Sequence, residues 1–181
     1  MTDDTLQLAK LIQAHQIVIA SAESCTGGKI ADFITDVSGV SENFWGSWVV
    51  YDNTAKIELG VPSEIISQHG AVSSQTAVSM AESGLKKLSS VLSRPAAQML
   101  GVTSTRKKLA VVSTTGVAGP TGGTATHPVG LCFVGVAIST QGAAPTTRFL
   151  KIEAPTGLSR TENKSYFTQR AIEFLLQCLS E

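Results

Sequence analysis

Three short segments of the sequence combine reactive side chains with loop-forming residues, and the first, residues 23–28, reads Glu-Ser-Cys-Thr-Gly-Gly. It follows the β-branched run 17–20, which predicts a strand, and precedes a helical pattern that begins at Lys29. Free backbone N–H groups at the start of a helix suit a phosphate, or the oxyanion of an acyl-transfer intermediate. In the alternative interpretation, Ser24 or Thr26 only caps the helix and the glycines make a turn.

A second segment, residues 115–123, reads Thr-Gly-Val-Ala-Gly-Pro-Thr-Gly-Gly and follows a predicted strand. Glycine tolerates positive φ and has no side chain, so a ligand can approach this backbone closely. A tight connection in a crowded sheet would have the same composition. The first segment has the spacing of neither a Walker loop nor a dinucleotide-binding loop. Because ligands of open α/β sheets bind beyond the strand ends, the two loops together favour a binding site there.

The third segment, residues 51–56, contains ionisable groups and reads Tyr-Asp-Asn-Thr-Ala-Lys. Lys56 follows the strand-end Tyr51 closely, and a partly desolvated lysine can serve as a base. A solvated helix lysine is the alternative. Cys25 is either a thiol nucleophile at a helix N-terminus or a small buried side chain. The histidines show no metal-ligand spacing and are interpreted as surface or structural residues: His15, His69 and His127.

The composition favours a single domain over residues 1–181, because 181 residues are too few for two ordinary domains. The 14 Lys and Arg residues balance the 14 Asp and Glu residues, which argues against nucleic-acid binding driven by net charge. The sequence has no signal-peptide pattern and no apolar run long enough for a membrane span. Three distant cysteines encode neither a disulfide framework nor a zinc site: Cys25, Cys132 and Cys178. We therefore expect a soluble, cytoplasmic protein in a reducing compartment.

Helical and strand patterns alternate along the chain and have to position these segments. After an N-terminal helix, strands are predicted at 17–20, 44–51, 109–115, 131–138 and 147–152. A short helical segment at 56–59 is expected to end before Pro62. Either Ser73 or Ser74 is expected to cap a long helix. Residues 91–108 predict a surface insertion. The alternation, with one late pair of neighbouring strands, predicts an α/β fold, specifically a three-layer α/β/α sandwich with a mixed sheet.

Several motifs, taken in order, resemble one known family. They are Ala-Glu-Ser-Cys-Thr-Gly-Gly at 22–28, Val-Tyr-Asp-Asn at 50–53 with Lys56, Gly-Ala-Val-Ser at 70–73, and Gly-Val-Ala-Gly-Pro-Thr-Gly-Gly at 116–123 with Pro-Val-Gly at 128–130. The sequence resembles the C-terminal domain family of the competence/damage-inducible protein CinA, which also occurs alone as the nicotinamide-nucleotide amidase. The resemblance runs from about residue 5 to residue 178, and only residues 91–108 interrupt it.

This resemblance implies a three-layer domain that forms a homodimer and needs no metal or other cofactor. It implies hydrolysis of the carboxamide of nicotinamide mononucleotide, a small-molecule pyridine nucleotide, to nicotinic acid mononucleotide and ammonia. Neither nucleic acid nor membrane is an implied partner. The implied catalytic residues are Ser24 as nucleophile, Lys56 as base, Tyr51 and Thr115. The implied substrate-binding residues are Thr26, Gly27, Gly28, Ser41, Asn53, Gly116, Gly119 and Arg160, of which the last meets the substrate phosphate.

Two positions depart from the family pattern. Residues 127–130 read His-Pro-Val-Gly where the family has Lys-Pro-Val-Gly, which removes a fixed positive charge near the second loop. A second basic residue in the first turns of the last helix is matched only by Lys164. A non-catalytic nucleotide-binding or interaction module of the same fold is the alternative. Phosphate binding needs mainly N–H groups and a cation, so the joint presence of the four implied catalytic residues favours an enzyme.

Overall fold

A computed structural model describes residues 3–95 and 108–181 of the chain. Within these ranges one sheet contains five strands: β1 (Ile17–Glu23), β2 (Phe44–Val49), β3 (Lys108–Gly116), β4 (Leu131–Thr140) and β5 (Thr146–Glu153). The same ranges contain six α-helices: α1 (Asp3–Ala14), α2 (Lys29–Thr35), α3 (Asn53–Leu59), α4 (Ser63–His69), α5 (Ser74–Leu92) and α6 (Arg160–Ser180).

The strands lie in the order β2-β1-β3-β4-β5, and the predicted mixed sheet is confirmed. β1 pairs in parallel with β2 and with β3, whereas β4 is antiparallel to both of its neighbours. Every residue of β1 is buried, as is typical of a parallel strand covered on both faces. The carboxyl ends of β2, β1 and β3 therefore lie along one edge of the sheet, where ligands of such folds bind.

Helices pack on both faces of the sheet. On one face α1, α2 and α6 contribute core side chains such as Ile12, Ile30 and Phe167. On the other face α5 contributes four core residues, including Met80, and the end of α3 adds Leu59. These two separate cores confirm the predicted three-layer α/β/α sandwich.

Capping hydrogen bonds stabilise the first turns of three helices near this edge of the sheet: α3, α5 and α6. Asp52 caps α3, and its carboxylate accepts a hydrogen bond of 2.8 Å from the backbone N–H two residues on. Ser73 caps α5, as predicted from the sequence. Ser159 and Glu162 form a reciprocal capping box at the start of α6.

The structure differs from the sequence-based expectation at several element boundaries. β1, for example, continues to Glu23 rather than ending at residue 20. β2 ends at Val49 rather than at residue 51. Pro62 does lie beyond the end of α3, but α4 follows it directly at Ser63, and the sequence interpretation missed this helix. A proline that ends one helix is also tolerated at the start of the next. α5 continues to Leu92, into the expected surface insertion over residues 91–108. Residues 96–107 of that segment lie outside the described residues.

The described residues include neither a membrane-spanning helix nor a group of metal-ligating side chains. No helix within residues 3–95 and 108–181 is long and apolar enough to cross a bilayer. In the same part of the chain, no three His, Cys, Asp or Glu side chains are grouped so that they could hold a metal ion.

Asn43, the residue before β2, joins α1 to the start of β1. Its buried side-chain amide donates to the carbonyls of Ile12 and Ile17, both at 2.9 Å. We predict that Asn43→Ala lowers the free energy of unfolding by about 1–3 kcal/mol, because both carbonyls lose this donor. Urea denaturation measures the change. Thr124→Ala, which removes an exposed hydrogen bond within a loop, is the control and should change it by less than about 0.5 kcal/mol. Equal effects of the two substitutions would contradict this role of Asn43.

Candidate functional site

A pocket of about 280 Å³ lies beyond the carboxyl ends of β1 and β3. The register of the parallel strands sets Glu23 beside both Thr114 of β3 and Val49 of β2. The loops after these three strands consequently meet at one edge of the sheet. Eight of the twelve predicted site residues line the pocket: Ser24, Tyr51, Asn53, Lys56, Thr115, Gly116, Gly119 and Arg160.

Ser24 is the first residue of the loop after β1, and 7% of its surface is exposed. Its backbone N–H donates to the carbonyl of Thr114 at 3.0 Å, which ties the loop to β3. Its hydroxyl makes no hydrogen bond to any group in the described part of the chain. The hydroxyl is therefore available to a ligand that enters the pocket.

Lys56, in the first turn of α3, is only 2% exposed, which is rare for a lysine. Its amine donates to the backbone carbonyls of Val50 at 3.1 Å and Tyr51 at 3.2 Å. Burial lowers the pKa of the Lys56 amine, although the negative charges of Asp52 and of an ionised Cys25 oppose this shift. The net shift is downward, so the neutral amine is more accessible than in a solvated lysine. The alternative of a solvated helix lysine is wrong.

The two carbonyls also orient the Lys56 nitrogen. A neutral amine has two N–H bonds and one lone pair, and the carbonyls of Val50 and Tyr51 take both N–H bonds. The remaining tetrahedral position holds the lone pair, or the third proton of the ammonium. None of the ion pairs between described residues involves Lys56. Since Lys56 lines the same pocket as Ser24, this position suits proton transfer with a group in the pocket.

A carboxylate of the protein itself occupies the start of α2. Glu23 is completely buried, and its two oxygens accept hydrogen bonds at 2.8 to 3.1 Å. The donors are the N–H groups of Gly28, Ile30 and Ala31 and the hydroxyls of Thr26, Ser21 and Ser47, of which the last two lie 2.8 Å from each other. A helix N-terminus that would otherwise attract an anion is thus already neutralised.

Three predicted binding residues of the first loop lie outside the pocket, and two of them bond to this carboxylate. Thr26 is fully buried, with its hydroxyl 2.8 Å from Glu23 and 2.7 Å from the hydroxyl of Thr114. Gly28 donates its N–H to Glu23, and Gly27 donates its N–H to the Ser24 carbonyl at 3.2 Å. Gly27 and Gly28, both expected to bind the substrate, therefore have no free backbone N–H for an anion.

Ser41 is the fourth predicted residue that the structure does not bring to the pocket. It is exposed in the 3-10 turn Val40–Glu42, immediately before β2. Because β2 runs parallel to β1, its amino end lies at the edge of the sheet opposite the pocket. The direction of β2 therefore excludes Ser41 from this site.

Arg160, the first residue of α6, contacts two parts of the pocket. Its guanidinium donates to the Gly119 carbonyl at 2.6 Å and to the Tyr51 hydroxyl at 3.0 Å. Asn163, one turn further along α6, donates to the Ala118 carbonyl at 3.1 Å. The start of α6 thus holds the second glycine-rich loop in place and supplies the pocket with a cation.

The second glycine-rich loop retains N–H groups without acceptors at its glycines, whereas the N–H groups of both glycines of the first loop have acceptors. The N–H of Val117 donates to Leu131 at the start of β4, so this end of the loop is fixed. In the described residues, no acceptor bonds to the amides of the pocket-lining residues Gly119, Thr121 and Gly122. With the Arg160 guanidinium beside them, these amides accommodate an anion better than the start of α2 does.

The other pocket residues have identifiable contacts. Thr115 donates its hydroxyl to the Ala71 carbonyl at 2.6 Å, which joins the end of β3 to the turn before α5. Cys25 is 4% exposed and lines the pocket, and its sulfur lies 3.7 Å from that of Cys132. Sequence reasoning gave no role to Glu23 or Asn163. A carboxylate at the end of an apolar strand, before a glycine-rich turn, is a signal that could have indicated Glu23, whereas Asn163 had none.

The chain matches the family model of the CinA C-terminal domain over residues 2–93 and 84–179. A CinA-like protein of Salinibacter ruber is 41% identical over 181 residues, covering 98% of this chain. A CinA-like protein of Chloroherpeton thalassium is 36% identical over 175 residues, covering 96% of this chain. The chain spans only 38% and 36%, respectively, of the length of these two relatives.

Solved structures give the same family. The competence/damage inducible protein CihA from Agrobacterium tumefaciens is 31% identical and superimposes with a TM-score of 0.73, over 100% of this chain and 98% of that chain. A CinA superfamily protein from Klebsiella pneumoniae reaches a TM-score of 0.77 at 21% identity, over 98% of this chain and 96% of that one. The second likeness concerns the fold alone.

We predict that the Lys56 amine titrates below the ordinary pKa of a lysine, because burial disfavours its charged form. Asp52→Asn should lower this pKa further, since the charge of Asp52 stabilises the ammonium, whereas asparagine still caps α3. NMR titration of ¹³C-labelled lysine side chains measures both values. Glu58→Gln, on an exposed face of the same helix, is the matched control and should leave the Lys56 pKa unchanged. A pKa that stays constant or rises in Asp52→Asn would contradict the arrangement.

Proposed function

This chain belongs to the family of CinA C-terminal domains, and on that premise we propose that it is an amidohydrolase acting on nicotinamide mononucleotide. The products are nicotinic acid mononucleotide and ammonia. The observation that carries the proposal is the pairing, in one pocket, of an unbonded Ser24 hydroxyl with a buried Lys56 amine of lowered pKa. A nucleotide-binding module would need neither group, since N–H groups and a cation suffice for phosphate.

The chemistry proceeds by transfer of protons between Ser24, Lys56 and the substrate. The Ser24 oxygen attacks the carboxamide carbon, and its proton moves to the lone pair of Lys56. The Lys56 ammonium then protonates the amide nitrogen, the C–N bond breaks, and ammonia leaves a nicotinoyl ester on Ser24. Water attacks this ester, and Lys56 passes the proton of the water to the departing Ser24 oxygen. In a variant of this mechanism, Ser24 only donates a hydrogen bond and water attacks the carboxamide directly.

We assign the substrate phosphate to the second glycine-rich loop and Arg160. Glu23 excludes an anion from the start of α2, while the amides of Gly119, Thr121 and Gly122 have no acceptor within the described residues. A phosphate there would replace the Gly119 carbonyl or the Tyr51 hydroxyl as partner of the Arg160 guanidinium. This exchange forms a charge-assisted pair, which is stronger than either neutral contact.

The proposal is tested by incubating the pure chain with nicotinamide mononucleotide and measuring both products. Ammonia and nicotinic acid mononucleotide should appear in equal amounts and with turnover. Binding of the nucleotide without release of ammonia, measured by calorimetry on the same sample, would replace the enzyme by the non-catalytic nucleotide-binding module.

We predict that Ser24→Ala lowers kcat by more than about tenfold, equivalent to about 1.4 kcal/mol of transition-state stabilisation, and leaves substrate affinity and folding nearly intact. The reason is that only one hydroxyl is lost from a loop held by other groups. Steady-state kinetics and thermal unfolding measure these effects. The matched control is Cys25→Ser, which should be tolerated. If Ser24→Ala keeps more than about a tenth of the wild-type kcat, Ser24 is not the nucleophile.

We predict that Arg160→Ala raises the KM for nicotinamide mononucleotide by about tenfold or more, because a charge-assisted pair with the phosphate is lost. Hydrolysis of nicotinamide riboside, which has no phosphate, should change little. Lys164→Ala, one turn along the same helix, is the control and should leave both substrates unaffected. Equal losses on the nucleotide and the riboside in Arg160→Ala would show that Arg160 only supports the loop around Gly119.

A further inference from the structure

Glu23 is connected to both reacting groups of the proposed hydrolysis. Its side chain holds the loop that begins with Ser24, through Thr26 and the first turn of α2. Its backbone carbonyl accepts a hydrogen bond of 2.8 Å from the N–H of Val50, and the carbonyl of Val50 in turn accepts from the Lys56 amine at 3.1 Å. One buried residue is thus linked to the nucleophile on one side and to the base on the other.

The Glu23 carboxylate is hydrogen-bonded to the middle and to the far end of the loop that follows it. It bonds to Thr26 inside the loop and to Gly28, Ile30 and Ala31 at its far end. The Thr26 hydroxyl also lies 2.7 Å from the hydroxyl of Thr114, the residue whose carbonyl accepts a hydrogen bond from the Ser24 N–H. Both ends and the middle of residues 24–28 are therefore fixed to the sheet, although Glu23 itself does not line the pocket.

The amides of the loop differ in whether they have acceptors. Those of Gly28, Ile30 and Ala31 donate to the carboxylate and that of Gly27 to the Ser24 carbonyl, whereas in the described residues the amides of Cys25 and Thr26 have no acceptor. Cys25 directly follows Ser24 and lines the pocket. An amide in this position is suited to receive the negative charge that develops on the substrate carbonyl oxygen.

We propose that Glu23 is a positioning residue of the hydrolysis: its buried carboxylate holds the Ser24 loop in register with Lys56, in a conformation in which the Cys25 amide has no acceptor among the described residues and can bond to the oxyanion. This inference rests on the proposed function. Reactions of this kind are sensitive to placement, since a displacement of about 1 Å can reduce the rate by about 100-fold. The role of Glu23 should accordingly affect the rate of the chemical step more than substrate affinity.

The test compares Glu23→Gln with Asn43→Ala. Glutamine keeps the size of the side chain, but its amide turns N–H groups toward the donors that now bond to the carboxylate. Asn43 is also buried and hydrogen-bonded to β1, at the opposite end of that strand, so its loss imposes a structural cost without touching the loop. At a temperature at which both variants are folded, Glu23→Gln should lower kcat about 100-fold with KM changed less than about threefold. Asn43→Ala should leave both constants unchanged. Equal kcat values per folded molecule for the two variants would overturn the proposal.

A second measurement does not depend on amidase activity. Alkylation of Cys25 by iodoacetamide, followed by peptide mass spectrometry, should be about tenfold faster in Glu23→Gln than in wild type, and unchanged in Asn43→Ala. If wild type releases no ammonia but this difference appears, the proposed function fails and the hold of Glu23 on the loop stands. Equal alkylation rates in all three proteins would overturn that hold.

If Glu23→Gln does not fold, Thr26→Val tests the positioning role of Glu23 instead. It removes one donor from the carboxylate, and Thr26 does not line the pocket. We expect kcat to fall about tenfold at unchanged KM, as for a loss of about 1.4 kcal/mol in transition-state stabilisation. An unchanged kcat in Thr26→Val would overturn the proposal.

Discussion

The hydrogen bonds of one buried carboxylate, that of Glu23, determine how the site is organised. Burying a carboxylate away from water costs free energy unless both of its oxygens accept hydrogen bonds. Here N–H groups and hydroxyls donate to both oxygens of Glu23. Because these donors come from α2, from the loop after β1 and from β2, the carboxylate joins three elements at one edge of the sheet. It also neutralises the start of α2, so the second glycine-rich loop accommodates an anion better than this helix start does. The two loops, similar in composition, thereby take different roles: the first presents Ser24, and the second offers free amides beside Arg160.

The same edge of the sheet explains the state of Lys56. The chain leaves β2 at Val49 and turns into α3 within a few residues, so the carbonyls of Val50 and Tyr51 remain without strand partners and accept from the Lys56 amine. A lysine held by two neutral carbonyls in a buried position gains hydrogen bonds without a strong counter-charge. Burial then dominates, and the pKa of the amine falls despite the charge of Asp52. The path by which the chain leaves the sheet thus determines the hydrogen bonds of the Lys56 amine.

Much of this architecture could be predicted from the sequence, because hydrophobic periodicity and turn residues are local properties. The five strands, the mixed sheet and the cap at Ser73 are of this kind. Resemblance to the family predicted the residues around the pocket, since ordered motifs identify loops after strands. It failed for Ser41, which lies at the amino end of β2, because a linear match does not reveal which end of a strand faces the ligand. The hydrogen bond from the Gly28 N–H to Glu23 could not be predicted either, because the partner of a backbone N–H depends on the tertiary path of the chain.

The central claim is that a neutral Lys56 takes the proton of the attacking group. The most direct test is the pH dependence of kcat/KM for nicotinamide mononucleotide, compared with the pKa of Lys56 measured by NMR on the same protein. Desolvation favours the neutral amine, so activity should rise as the pH increases through the pKa of Lys56. We predict that the acidic limb of the profile coincides with that pKa, and that both move to lower pH together in Asp52→Asn. An acidic limb that stays in place while the pKa of Lys56 moves would assign the proton transfer to another group and contradict the account.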